Sequence, residues 1–419
     1  MQHRLMILGS MDEFVELTKL AESRGIYTIV CDGYANGPAK AVADEAVNID
    51  VRDTRAIAAY CQEQGVDGII ASFSDLLAEC LVNIADQAGL PCYAKPDQIR
   101  YLREKSLMKG MLSELGISAP ASAHVHKGSI ADDLEAIGFP CVVKPVNGYG
   151  SRGVYVVSQV QEVEERFDEI TSFSDFDYIL AEQYNDGYEF NMMNWIVDGE
   201  VVTLSIADRE KSSEIPLAVP HVSRIVYPSR LISKVYDDAH AIVQAVANHL
   251  GLTEGPLSMQ FFYRPGEGVQ VCEIAGRLFG YEHELIALAS GFSIEELLLN
   301  YVYDRDALKQ QLASHSPHHP RCSAGHYFHG YEGVIGNTAP AHAAAHIDGV
   351  VDAHFYYGEG DRIKHGVGAA PYVLRYYAVA SDREAIDAIT AQLYESVNVY
   401  GENGASLLYS SQMTAYPDA

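Results

Sequence analysis

Short apolar runs alternate with helical patterns through the first hundred residues. The runs predict buried strands, and an apolar residue at every third or fourth position predicts helices between them. The expected strands are residues 4–9, 26–31 and 67–71, and the expected helices are residues 12–24, 54–64 and 75–88. This alternation is typical of a parallel, doubly wound α/β sheet. The first turn, LGSMDEF, has one glycine where a dinucleotide fingerprint has three, so a scaffold or substrate platform is favoured over dinucleotide binding.

The pattern changes in the second hundred residues. Residues 96–115 have amphipathic spacing that begins at a proline and is closed by Gly116, which predicts one helix. From residue 139 onwards, short apolar runs predict antiparallel strands, with a hairpin turn at Asp198 and Gly199. Further helices are expected at residues 161–170, 233–250, 281–304 and 382–396.

The stretch 305–322 is polar and contains proline and histidine, and it is predicted to be a solvated linker. Its histidines, His315, His318 and His319, also suggest a metal site, but the linker is the favoured interpretation.

Charge narrows the classes of partner. The chain has 419 residues, 29 Lys and Arg against 57 Asp and Glu, and a formal net charge of −28. That charge repels a nucleic-acid backbone and an anionic membrane surface, so neither is an expected partner. A small anionic ligand needs only a few basic residues in one cleft, so it stays compatible with this composition.

The seven cysteines contain no CxxC pair and mostly lie in apolar runs, which predicts reduced, buried thiols in a cytoplasmic protein. The N-terminus turns acidic after a few apolar residues, and no window approaches about 18 apolar residues. We therefore expect neither a signal peptide nor a membrane span.

The most informative motif is residues 142–157, VVKPVNGYGSRGVYVV. A predicted strand delivers Lys144, a loop rich in glycine follows, and a second strand leaves. Glycines allow backbone N–H groups to converge on an anion, and the lysine adds a positive charge. The motif predicts a hairpin that grips phosphate; it is not a P-loop, because GxxxxGK[ST] is absent. The alternative for this segment is a flexible β-hairpin with a surface lysine.

Three further features favour a nucleotide site. Glu182 ends an apolar strand and Glu189 follows a glycine turn, where carboxylates can hold an adenine amine and ribose hydroxyls. Lys105 lies on the helix before the hairpin and can reach the same phosphates. Gln260 and Glu273 project from otherwise apolar strands, and a cation with its phosphate oxygens would satisfy them.

The order of these parts resembles the ATP-grasp superfamily of carboxylate–amine ligases, over essentially the whole chain. The resemblance is carried by FPCVVKPVNGYGSRGV, AEQYNDGYE, GPLSMQFF and VCEIAGR. It looks closest to the stand-alone L-amino-acid ligases that make dipeptides, because of IVYPSRL, GFSIEELLL and a C-terminal extension of matching length with HFYYGEGDRI. It implies an N-terminal α/β domain (1–103), a β-rich lid region (104–185), a β-rich core with the metal strands (186–310) and a C-terminal α+β extension (311–419).

Carried over to this chain, the resemblance implies a role for each site residue. Arg277 would steady the acyl phosphate and the tetrahedral intermediate, and Arg209 would contact phosphate. Gln260 and Glu273 would hold Mg²⁺ or Mn²⁺. The nucleotide would be bound by Lys105, Lys144, Gly148, Gly150, Ser151, Gly153, Glu182, Gln183, Tyr184 and Glu189.

The metal strands depart from the family pattern. Gln260 stands where an acidic residue is usual, and Ala275 replaces the asparagine of the ExNxR motif. The amide oxygen of Gln260 is an acceptable ligand for Mg²⁺. Ala275 supplies no ligand, so the metal would depend more on ATP oxygens and water.

Three hypotheses about function follow. The first is an ATP-dependent ligase that activates a small carboxylate, an amino acid in our interpretation, as an acyl phosphate and joins it to an amine. The second is a nucleotide-binding protein that has lost catalysis, as Ala275 and Gln260 suggest. The third is a ligase of the purine-pathway or carboxyphosphate type. Many members of the superfamily dimerise, so a homodimer is compatible with the resemblance.

Overall fold

The computed structural model of this chain describes residues 2–146, 153–212, 221–280, 282–364 and 372–409. Within these ranges no single helix is both long enough and apolar enough to cross a membrane. Two consecutive helices, His283–Ser290 and Ile294–Tyr303, reach that length and apolar character only when they are counted together, and the chain bends by 104° between them. All seven cysteines are free thiols, and five of them are buried.

The N-terminal part is a four-stranded parallel sheet in the order β3-β2-β1-β4, as the sequence predicts. The helices Thr54–Gln64 and Asp75–Ala88 each end at a glycine in the left-handed conformation, Gly65 with φ of 66° and Gly89 with φ of 73°. The elements are β1 (Arg4–Leu8), α1 (Val15–Ser23), β2 (Tyr27–Cys31), β3 (Glu45–Val47), α2 (Thr54–Gln64), β4 (Gly68–Ile70) and α3 (Asp75–Ala88).

The single helix predicted over residues 96–115 is wrong. The segment forms α4 (Pro96–Ile99), a 3₁₀ turn (Arg100–Leu102) and α5 (Lys105–Glu114), because Glu104 is extended. Ile99 and Leu102 press against Gly276 so closely that a Cβ there would lie 2.8 Å from Ile99. This tertiary contact outweighs local helix propensity, and the break makes Lys105 the first residue of α5.

The next part is an antiparallel sheet in the order β5-β8-β6-β7, which confirms the predicted change of strand direction. It has its own small core around Phe167 and Val143. The elements are β5 (Ser122–His126), α6 (Ile130–Leu134), β6 (Cys141–Lys144), β7 (Tyr155–Val157), α7 (Val160–Thr171) and β8 (Tyr178–Gln183).

An eight-stranded sheet, in the order β13-β12-β9-β10-β11-β14-β18-β16, forms the largest layer. The predicted hairpin turn is present between β9 and β10, with φ of 54° at Asp198 and 86° at Gly199. The first elements are β9 (Tyr188–Val197), β10 (Glu200–Ser212), β11 (His221–Tyr227), α8 (Ile232–Leu250), β12 (Gly255–Arg264), β13 (Gly268–Ala275), α9 (His283–Ser290), α10 (Ile294–Tyr303) and α11 (Arg305–Ala313).

The C-terminal part extends this sheet, because β14 pairs with β11. The predicted domain boundary at residue 310 lies inside α11. Strands from before and after that residue belong to the same eight-stranded sheet. A separate three-stranded sheet has the order β17-β15-β19. The elements are β14 (Cys322–His329), β15 (Gly333–Asn337), α12 (Ala339–Ala344), β16 (Val350–Phe355), β17 (Arg362–Ile363), β18 (Tyr372–Ala380), α13 (Arg383–Ser396) and β19 (Tyr400–Gly401).

The solvated linker predicted over residues 305–322 is wrong. Its first half is α11, capped by the Asp304 carboxylate and anchored by the buried Leu308 and Leu312. Its histidines do not form a metal cluster: ring nitrogens of His315 and His319 lie 2.6 and 3.2 Å from the same oxygen, the Leu204 carbonyl. A stripe of two leucines among polar residues is enough to fix this segment to the core.

Strand β10 carries charge on both faces. Arg209 and Lys211 point to one face, and Asp208 and Glu210, which alternate with them, point to the other. Asp208 and Glu210 are 0% and 1% exposed, and Arg383 of α13 lies 2.6 Å from both carboxylates. Arg224 of β11 adds bonds to Glu210, at 2.6 Å, and to Asp387, at 2.7 Å. This network joins α13 to the sheet.

Arg383→Met should therefore destabilise the chain strongly. It leaves the buried carboxylates of Asp208 and Glu210 with fewer partners, and breaking a buried ion pair costs about 3–5 kcal/mol. The free energy of unfolding from urea denaturation measures the loss. Lys19→Ala, which removes an exposed partner of Glu16 on α1, is the control and should change stability by about 0.5 kcal/mol or less. Equal effects of the two substitutions would contradict the role of Arg383.

Candidate active site

A row of polar side chains crosses one face of the large sheet. Asn191 on β9 is directly opposite Gln260 on β12, and Gln260 is directly opposite Glu273 on β13. Residues that face each other on adjacent antiparallel strands have Cβ atoms about 5 Å apart. The predicted pairing of Gln260 and Glu273 is therefore confirmed, and it places an amide and a carboxylate together.

Two lysines share the carboxylate of Glu182 at the end of β8. The Nζ of Lys144 lies 2.6 Å from one carboxylate oxygen, and the Nζ of Lys109 lies 3.0 Å from the other. The Glu182 side chain is 8% exposed. Burial opposes its charge, but Lys144 and Lys109 outweigh burial and lower the pKa of Glu182. Lys109 is absent from the sequence prediction; its spacing of four residues from Lys105 on α5 is the signal that could have found it.

A second buried carboxylate, Glu189, lies on the large sheet. It bonds to Arg209, Lys211 and the side-chain amide of Gln260. Burial raises the pKa of a carboxyl group, but the two cations prevail and lower the pKa of Glu189. The structure thus joins three residues that the sequence proposes separately, Arg209, Glu189 and Gln260, in one hydrogen-bonded group.

Arg277 follows β13 and is fixed by a residue that the sequence analysis missed. Its guanidinium forms two bonds to the Asp75 carboxylate, with Nε–Oδ1 of 2.8 Å and Nη2–Oδ2 of 3.0 Å. Asp75 begins α3, just beyond the carboxyl end of the parallel strand β4. That position, where ligands of open α/β sheets bind, is the signal that marks Asp75.

Lys105 lies between the two sheets. Burial lowers its pKa, and among nearby charges Glu273 raises it while Lys144 lowers it. Lys105, Lys144 and Glu273 are therefore electrostatic neighbours. This arrangement agrees with the proposed position of both lysines beside one polyanion.

The phosphate loop is only partly described. Of its predicted contacts, Gly148, Gly150 and Ser151 lie outside the described residues. Gly153 has φ of 68°, and a Cβ there would lie 2.7 Å from the ring of Phe173, so this position needs glycine. The predicted adenine contacts are at the end of β8, where the backbone N–H groups of Gln183 and Tyr184 donate to the carbonyls of Ala121 and Pro140. In this conformation those two N–H groups are not open to adenine.

The predicted metal ligands suit Mg²⁺ held mainly by a nucleotide. The Nε2 of Gln260 donates to Glu189, so its oxygen is the atom turned to other partners. Ala275 is buried and contributes no ligand. No cluster of three His, Cys, Asp or Glu suited to a metal occurs in the described ranges. Two oxygen ligands from the chain fit Mg²⁺, which usually keeps waters and binds substrate phosphates.

His283, the first residue of α9, is a buried ionised group. His283 is 2% exposed, its ring stacks on Phe73, and its Nε2 lies 3.0 Å from Glu295. Burial lowers the pKa of His283, but Glu284 and Glu295 outweigh it and raise the pKa to about 9. Burial raises the pKa of the nearby Glu13 to about 7. The sequence allows either a packing or capping role or a substrate contact for His283, and the structure shows it as a buried cation held by carboxylates.

Comparison with known proteins agrees with this geometry. Residues 137–283 match the ATP-grasp domain family. A formate-dependent phosphoribosylglycinamide formyltransferase from Bacteroides thetaiotaomicron is 22% identical over 309 residues, which span 71% of this chain and 76% of that protein.

Two solved structures are similar in fold. An L-amino acid ligase from Bacillus licheniformis has a TM-score of 0.80 and 19% identity, over 96% of this chain and 99% of that one. A phosphoribosylglycinamide synthetase from Anaerococcus prevotii has a TM-score of 0.71 and 17% identity, over 96% of this chain and 100% of that one.

The chain shares its fold with these two solved enzymes. Residues 137–283 match the ATP-grasp domain, a family whose enzymes use ATP with Mg²⁺.

Asp75→Asn should lower catalysis through the position of Arg277. The amide keeps the shape of Asp75 but removes the charge that orients the guanidinium, and a displacement near the reacting atoms costs up to about 100-fold in rate. ADP release dependent on substrate measures kcat/KM. Glu79→Gln on the same helix, which removes the charge paired with Arg103, should leave kcat/KM within about twofold. Unchanged kcat/KM in the Asp75 variant would contradict this role.

His283 should make stability fall as pH rises. The folded chain keeps this proton up to about pH 9, whereas an unfolded histidine loses it near pH 6.5. The stabilisation is therefore complete below about pH 6.5 and is lost as pH rises through about 9. Urea denaturation between pH 6 and 9 should show the stability advantage over His283→Gln shrinking, by up to about 3 kcal/mol. A constant difference would contradict the raised pKa.

Proposed function

We propose that this chain activates a small carboxylate as an acyl phosphate and joins it to an amine, with release of ADP and phosphate. The observation that carries the proposal is the pair of lysines, Lys144 and Lys109, on the buried Glu182. A buried carboxylate with two cations provides an excess of positive charge, which suits a polyphosphate. The neighbouring Gln260 and Glu273 provide oxygen ligands for its metal.

Each basic residue has a part in the proposed reaction. Lys144 would move from Glu182 onto the ATP phosphates, and Lys109 would remain to neutralise the carboxylate. Arg209 would stabilise the charge on the phosphoryl group while it is transferred from ATP to the carboxylate. When bound, Mg²⁺ neutralises phosphate charge. Arg277, held by Asp75, would then orient the acyl phosphate towards the amine.

Water must be excluded, because it hydrolyses an acyl phosphate. In this proposal that task falls to the loop 147–153, which is next to Lys144 in the sequence and is described by the structure only at Gly153. Its glycines allow close approach of the backbone to phosphate.

An amino acid is the first candidate for the carboxylate. It is favoured by the solved L-amino acid ligase from Bacillus licheniformis, whose fold this chain shares with a TM-score of 0.80 over 96% of its length.

The second candidate is a ligase of the purine-pathway type. It is favoured by the relative from Bacteroides thetaiotaomicron, whose name specifies formate and phosphoribosylglycinamide. In that case the site would also have to bind the phosphate group of that substrate.

Lys144→Ala should lower substrate-dependent phosphate release by at least about 100-fold, because it removes a fixed charge from the developing transition state. Lys127→Ala is the matched control: Lys127 belongs to the same part of the chain, but its pair with Asp168 is exposed. The control should retain the activity of the unaltered chain. Phosphate release that survives in the Lys144 variant would contradict the proposal.

A substrate panel separates the candidates. Phosphate release with ATP, Mg²⁺ and pairs of amino acids supports the amino-acid ligase. Release only with formate and glycinamide ribonucleotide, or with bicarbonate, supports the second candidate. ATP binding in calorimetry without turnover on any substrate would indicate a protein that has lost catalysis.

A further inference from the structure

Asn191 lies in the same row as the proposed metal ligands, although the family resemblance gives it no role. Its Cα partner is Gln260, whose other Cα partner is Glu273. The three side chains therefore project from one face of three adjacent strands. The Asn191 side chain is 2% exposed.

The orientation of the Asn191 amide is fixed by its hydrogen bonds. Its Nδ2 donates to both carboxylate oxygens of Glu282, at 3.0 and 2.9 Å. Against the ionised carboxylate of Glu282 only the NH₂ group of the amide can donate, so the oxygen points away from Glu282. The oxygen Oδ1 is buried and has no hydrogen-bond partner among the described residues. A buried acceptor without a partner costs about 1–3 kcal/mol, so this atom marks a place for a missing partner.

The same sheet lacks one expected oxygen ligand. Ala275, two residues beyond Glu273 on β13, cannot supply it. The asparagine of the family motif would supply an amide oxygen from β13. The unpartnered Oδ1 of Asn191 is also an amide oxygen, but it is carried by β9 of the same sheet. Hard oxygen ligands are those that Mg²⁺ accepts.

We propose that Oδ1 of Asn191 is a third protein ligand, beside Gln260 and Glu273, for the Mg²⁺ that accompanies ATP. Asn191 on β9 would thus supply the oxygen ligand that Ala275 on β13 cannot supply. This inference rests on the metal positions proposed for Gln260 and Glu273, and it is independent of the identity of the carboxylate and the amine.

Binding of Mn²⁺ to the full chain in the presence of ADP, followed by electron paramagnetic resonance, tests the proposal without any turnover. Asn191→Leu keeps the volume and removes the oxygen, and it should raise the Kd for Mn²⁺ about tenfold or more. Asn191→Asp restores an oxygen with added charge, and it should bind Mn²⁺ at least as tightly as the unaltered chain. An unchanged Kd in the Leu variant, or equal weakening in both variants, would overturn the proposal.

Two controls separate ligation from a supporting role. Asn194→Leu also removes a buried amide oxygen that has no hydrogen-bond partner among the described residues, but from the opposite face of β9, so its Kd for Mn²⁺ should stay within about twofold of the unaltered chain. Equal loss in Asn194→Leu and Asn191→Leu would show that a leucine buried on β9 disturbs the sheet and not a ligand, and it would overturn the proposal. Glu273→Ala is the reference: if it leaves Mn²⁺ binding intact while Asn191→Leu weakens it, the proposed metal position fails and the proposal with it.

Discussion

The alternation of side chains along four neighbouring antiparallel strands is the constraint on which the rest of this structure depends. In β9, β10, β12 and β13, side chains alternate between the two faces except where the pairing register shifts, and the registers align the residues that face the site. Asn191, Gln260 and Glu273 form a row for this reason alone. A shift of one residue in any of these strands would turn its polar groups into the core. The pairing registers of the sheet therefore determine the geometry of the site.

The second constraint is the cost of buried charge. Three buried carboxylates, Glu182, Glu189 and Glu210, each bond to two cationic side chains. Isolated, each would be expensive to bury. At Glu182 and Glu189 the pairing leaves a local excess of positive charge, although the whole chain carries −28. Such an excess of positive charge would attract a polyanion even in an acidic protein.

Sequence patterns predicted the parts of the fold that local patterns determine. The parallel N-terminal sheet, the antiparallel strands after residue 139 and the Asp198–Gly199 turn are all present, because each has its own local signal. Lys144, Glu182 and the Gln260–Glu273 pair were identifiable since charged or polar residues are unusual in apolar strands. Lys109 and Asp75 were missed because a polar residue on an amphipathic helix looks like an ordinary solvated one. The break in residues 96–115 depends on contact with Gly276, which is distant in sequence and which no local pattern reveals.

The pairing of β14 with β11 means that the C-terminal part covers a strand edge of the large sheet. Without it, β11 would be an exposed edge strand with a long row of unsatisfied backbone groups, and such edges recruit other chains. Six of the seven residues of β11 are buried, so the bared strand would also be strongly apolar. The last hundred residues therefore cover an apolar strand edge, and forms of the chain that lack β14 are expected to self-associate.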